Sequence, residues 1–119
     1  YKVISHENFE QNLPLGTIFC EGRAGLTDRV NSIKETAVYR DRIMRHVVGP
    51  VKIVGTTTNE IDVRANFAVF ETFPNEHTRV FVAGRYFDKL TFVEGQLKFH
   101  RKICVYDSAL IPASLVYPI

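Results

Sequence analysis

A chain of 119 residues, 45% hydrophobic and 24% charged, has the make-up of one folded α+β or β-rich domain spanning 1–119 and is too short for two. A net charge of +2, with both signs mixed along the chain, gives no electrostatic reason to expect nucleic acid or a membrane surface as partner. No apolar run approaches the length of a membrane span.

The opening, Tyr1-Lys2-Val3-Ile4-Ser5, reads as the middle of a strand. It has neither an initiating Met nor a secretory leader, so further residues are expected before Tyr1. Ser5 to Gly16 reads as irregular, ending in Leu13-Pro14-Leu15-Gly16. Thr17 to Cys20 is a short apolar stretch, either strand or extended loop. Cys20 and Cys104 lie far apart among apolar neighbours. They are expected to be buried, reduced thiols, which together with the missing leader points to the cytoplasm.

Ala24 to Ala37 carries the clearest helical pattern, with Leu26, Val30, Ile33 and Ala37 on one face. Thr27 and Asp28 are expected to cap its start. Its simplest role is to lie on a sheet. Met44 to Thr56 is β-rich, and Gly49-Pro50 within it requires a bulge, a break or an edge position. Ile61, Val63, Ala65, Phe67, Val69 and Phe73 then alternate with Asp62, Arg64, Asn66 and Thr72, the period of a strand with one face buried. Pro74 to His77 is a turn.

Thr78 to Val93 is a second long strand, with Val80, Val82, Tyr86, Leu90 and Phe92 on one parity and Phe81, Arg85, Phe87 and Lys89 on the other. Glu94-Gly95 makes a tight hairpin into a third strand, in which Leu97, Phe99, Ile103 and Val105 alternate with Lys98, His100 and Lys102. Short connections between long strands predict an antiparallel meander with helix on one face. The chain runs out in an apolar tail, Leu115-Val116-Tyr117-Pro118-Ile119, which must complete a core or be buried by another chain.

The chemistry of the residues is mostly negative. A Rieske cluster needs closely spaced Cys and His pairs, and neither Cys20 nor Cys104 belongs to one. His6, His46, His77 and His100 are scattered over different elements, so a facial iron triad is not expected, nor a zinc site. There is no phosphate-binding glycine loop and no nucleophile elbow. His46, beside Arg45, and His100 are either interface residues or solvated histidines. Asp88 and Asp107 lie near Tyr86 and Tyr106. In an apolar hollow, an Asp and a Tyr could serve as base and oxyanion donor. The plainer alternative is that each carboxylate pairs with a neighbouring Lys or Arg.

Three stretches resemble the β subunits of aromatic-ring-hydroxylating oxygenases. They are Glu7 to Gln11 with Leu13-Pro14-Leu15; Leu26 to Val30 with Tyr39 and Arg45 to Gly49; and Gly84 to Lys89 with Arg101 to Ser108 and the tail pieces Ile111-Pro112-Ala113-Ser114 and Tyr117-Pro118-Ile119. Cys104-Val105-Tyr106-Asp107-Ser108 and the Tyr-Pro-Ile ending look most like salicylate 5-hydroxylase small subunits, with anthranilate and terephthalate oxygenases as near neighbours.

The resemblance implies a cone-like α+β fold of the nuclear transport factor 2 and ketosteroid isomerase type: a long curved antiparallel sheet with helix on one face. It implies a chain with no catalytic, cofactor-binding or metal-binding residues of its own. Catalytic α subunits would hold a Rieske [2Fe-2S] cluster and a mononuclear Fe(II), in an α3β3 assembly fed by a reductase and often a ferredoxin. Under this reading Asp28, Arg29, Arg45, His46, Arg85, Tyr86, Asp107 and Tyr117 are the candidate interface residues. The rival from another class is a cofactor-free isomerase or dehydratase on the same fold, working through Asp and Tyr in an apolar pocket.

Overall fold

The computed structural model describes residues 1–111 and 114–119; Pro112 and Ala113 of the tail motif lie outside the described residues. The chain opens with strand β1 (Lys2–Ser5), helix α1 (His6–Glu10), strand β2 (Ile18–Phe19) and helix α2 (Gly22–Glu35). Five strands follow: β3 (Ile43–Val48), β4 (Lys52–Thr56), β5 (Glu60–Thr72), β6 (Arg79–Val93) and β7 (Gln96–Tyr106). They form one sheet in the order β2-β1-β7-β6-β5-β3, with β4 also pairing with β5.

The three long strands make the expected antiparallel meander. Glu94 and Gly95 both take positive φ, as a two-residue type I′ turn requires at its two central positions. The segment from Met44 to Thr56 breaks at Gly49-Pro50-Val51 into two strands that share one edge of β5. Pro50, lacking an N–H, thus lies outside both ladders. Register shifts at Val69/Phe70 and Lys89/Leu90 bend the sheet into its curve. The first shift buries both Phe81 and Val82 and turns Val80 out to solvent, against the expected parity.

Three expectations need correction. The sheet is mixed rather than purely antiparallel, because β1 lies parallel to β7, with Lys2 opposite Ile103 and Ser5 opposite Tyr106. Ser5 to Gly16 is not wholly irregular: the Ser5 hydroxyl accepts a hydrogen bond from the Asn8 N–H and starts α1. Finally, α2 begins at Gly22 and ends at Glu35, so Thr27 and Asp28 are interior. The Thr27 hydroxyl donates back to the Arg23 carbonyl at 3.0 Å.

The core lies on the inner face of the sheet, built from Val3, Phe67, Val69, Val82, Tyr86, Cys104 and Tyr106. Leu115 and Ile119 of the tail are buried against it, so the apolar ending completes the chain's own core. Gly84 is required where β6 meets β7: a Cβ there would stand 2.1 Å from the Val105 carbonyl oxygen. Of the apolar stripe on α2, Ile33 is buried while Leu26 and Val30 stay exposed. The molecule measures 50 × 28 × 28 Å, and the apolar tip of the β6–β7 hairpin, Phe92, Val93, Leu97 and Phe99, is exposed.

Candidate functional site

The inner hollow is where an acid–base pair would have to sit. Asp88 shares the parity of Tyr86 and is buried, with its Oδ2 3.1 Å from Lys102 Nζ. Burial raises the pKa of its carboxyl, and the Lys102 ammonium opposes that rise. The same ammonium lies 3.4 Å from the centroid of the Tyr86 ring, which stacks on Phe67 at 4.4 Å. Burial also pushes the Tyr86 hydroxyl up, away from easy ionisation. The carboxylate is therefore ion-paired, and aromatic side chains fill the space beside it. Asp107 is exposed, and its N–H is tied to the Ala83 carbonyl. Asp88 is thus paired with Lys102 and Asp107 is exposed, whereas an isomerase would use a free carboxylate in an apolar pocket beside a tyrosine.

Among the described residues, no three His, Cys, Asp or Glu side chains converge as a metal-ligand group. Cys20 and Cys104 are buried and unbridged. The Cys104 thiol donates to the Ile119 carbonyl at 2.9 Å, and burial pushes its pKa up to about 11. No described helix is long and apolar enough to cross a membrane.

Two clusters of cations and aromatics stand out instead, one near the C-terminal end of β5 and one near its middle. In the first, Glu71 is fully buried and binds two guanidinium groups: Arg42 at 2.7 Å and Arg79 at 2.9 Å. The Arg42 side chain is itself 3% exposed and lies over the Phe81 ring. Arg79 and Arg40 lie over Phe73, and Arg40 pairs with Glu76 at 2.7 Å. This cluster floors a hollow of about 540 Å³ whose rim includes Tyr39 and Tyr117, which are hydrogen-bonded through their hydroxyls. No sequence motif marked Glu71, but it has the odd parity of Val63, Phe67, Val69 and Phe73. A carboxylate on that face had to be buried and needed partners.

The second cluster lies on the outer face. Lys52 of β4, Arg64 of β5 and Arg85 of β6 surround the half-buried ring of Phe87 in a trough of about 550 Å³. Arg64 and Arg85 lie 4.5 and 5.6 Å from that ring's centroid, and Phe9 of α1 packs on it at 4.6 Å. Lys52 and Arg64 are direct cross-strand partners. Among the described residues, none of these three cations has a carboxylate partner.

The remaining candidate interface residues are dispersed. Asp28 is exposed on α2. Arg29, on the same helix, donates to the Leu115 and Val116 carbonyls and so fastens the tail. Arg45 and His46 are exposed on the edge strand β3. Tyr86 is in the core, and Tyr117 packs edge-on against Tyr39. Arg85 falls within the outer cluster.

The family model of the ring hydroxylating beta subunit matches residues 3–113. The chain belongs to that family. It is 30% identical over its whole length to the anthranilate 1,2-dioxygenase small subunit of Burkholderia cepacia, covering 74% of that protein. It is 27% identical to a beta subunit of the terephthalate 1,2-dioxygenase terminal oxygenase component from a Comamonas species, covering 77% of it. A crystal structure assigned as the beta subunit of an aromatic-ring-hydroxylating dioxygenase from Novosphingobium aromaticivorans superposes with a TM-score of 0.86 at 29% identity, over 98% of this chain and 72% of that one. The fold is accordingly the α+β fold of these beta subunits, of the nuclear transport factor 2 type.

Proposed function

We propose that this chain is the structural small subunit of an oxygenase that hydroxylates an aromatic carboxylate, with salicylate the first substrate to try. The family match over residues 3–113 carries this reading. Two relatives named for anthranilate and terephthalate, both aromatic carboxylates, support the substrate class. The chain's part is to associate with copies of itself and hold catalytic α subunits in register, in an α3β3 assembly in the bacterial cytoplasm. The α subunits carry the Rieske [2Fe-2S] cluster and the mononuclear Fe(II), and a reductase, with or without a ferredoxin, supplies electrons to them. The pairing of Asp88 with Lys102 and the dispersal of the histidines among the described residues support that division of labour.

Exposed Asp28, Arg45, His46 and Asp107 and half-buried Arg85 are the side chains available for contacts between subunits, with Arg29 and Tyr117 positioning the tail behind them. The test is to produce the chain alone and together with its large subunit. The lone chain is expected to contain no iron by metal analysis and to leave salicylate, anthranilate and terephthalate unchanged. The complex is expected to hydroxylate one of them, with a native mass corresponding to three copies of each chain. Stoichiometric iron or turnover in the lone chain would overturn the proposal.

A further inference from the structure

The outer trough is electrostatically incomplete. Lys52 and Arg64 face each other directly across the β4–β5 ladder, and like charges so placed repel. Arg85 adds a third positive charge on β6, where it is opposite Asn66 rather than an acid. Its side chain contacts the His6 ring nitrogen at 3.1 Å. The fold does not lack acids for pairing: Lys89 reaches Glu60 and Asp62, and Lys102 reaches Asp88. The aromatic floor gains from the guanidinium groups lying on it but does not cancel their charge.

We infer that Lys52, Arg64, Arg85 and Phe87 form a docking trough for an acidic segment of the large subunit, whose carboxylates would lie among the three cations. The inference rests on the small-subunit reading above. Charge complementarity selects the occupant: two arginine forks and one ammonium suit carboxylates, and Phe87 offers an apolar contact between them. The form of the trough selects a protein over a small molecule. Among the described residues, its walls come from the outer face of one sheet, with α1 at one side, and no second layer lies over it. A membrane or nucleic acid would call for a broad basic field, which a chain of net charge +2 does not carry.

The experiment uses the complex, captured through a tag on the large subunit, with retention of the small subunit measured at rising salt. Arg64→Glu/Arg85→Glu is expected to lower retention more than about tenfold, and Arg64→Gln/Arg85→Gln by less. A matched reversal on exposed α2 positions, Arg23→Glu/Lys34→Glu, is expected to leave it unchanged. Circular dichroism and melting of each variant alone check that it folds. Independently of any variant, zero-length carbodiimide coupling of the wild-type complex is expected to join Lys52 to an Asp or Glu of the large subunit, read by peptide mass spectrometry. Equal retention of wild type and the Gln pair, together with no Lys52 cross-link, overturns the trough while leaving the small-subunit reading intact. So does equal loss from the α2 reversal, which would make bulk charge the cause. A wild-type chain that the large subunit does not retain overturns both.

Discussion

The two arginine clusters use the same parts to opposite ends. Around Glu71, guanidinium groups lie on Phe73 and Phe81, and a buried carboxylate completes the charge. Around Phe87, guanidinium groups lie on an aromatic ring and no described carboxylate forms an ion pair with them. The first cluster is closed on itself and belongs to stability. The second is open and awaits its counter-charge from outside. Pairing, not the presence of Arg beside Phe, separates a structural cluster from a recognition surface.

The sharpest way to break this comparison is to open the closed cluster. Glu71→Ala leaves the Arg42 charge buried without its partner and should cost about 3–5 kcal/mol in denaturant unfolding. Replacing both partners, as in Glu71→Leu/Arg42→Met, should recover most of that loss, because a buried pair and an apolar pair of similar size are often close in energy. If the double variant is as unstable as the single one, pairing is not what the cluster contributes.

A smaller effect tests the core between the clusters. The Cys104 thiol has its pKa raised from 9.0 to about 11 by burial, so the folded chain holds its proton more tightly than the unfolded one. Its contribution is complete below about pH 9 and is lost as pH rises through the folded value. At pH 10 the chain should have lost about 1 kcal/mol relative to pH 8, and Cys104→Ala should flatten that limb in urea titrations.

The smallest expected change closes the open cluster. Asn66→Asp places a carboxylate in the trough opposite Arg85 and should raise the melting free energy of the lone chain by about 0.5 kcal/mol, less at high salt. The same change should weaken retention by the large subunit, since an internal carboxylate then competes with the partner's.

The meander was legible because its strands keep strict alternation and Glu94-Gly95 is a strong turn signal. Parity could also have placed Glu71 and Asp88 on the buried face, since both share the alternation of their apolar neighbours. It could not foresee the register shift that turns Val80 outward, because a bulge leaves no periodic trace. The start of α2 was hidden by Gly22 and Gly25, poor helix formers. The open trough was invisible in sequence because its three cations come from three strands and meet only through pairing. Arg85 was singled out, but without Lys52 and Arg64 it was one charge among many.

The parallel seating of β1 also sets a schedule. Its ladder partner β7 lies about a hundred residues further along the chain, so closing that contact carries a large entropic cost that local hairpins avoid. The hairpins of β5, β6 and β7 can form first, leaving one flank of β7 as a row of unpaired amides and carbonyls until β1 arrives. Until then that flank can mispair with another chain, and it is the four residues of β1 that cover it.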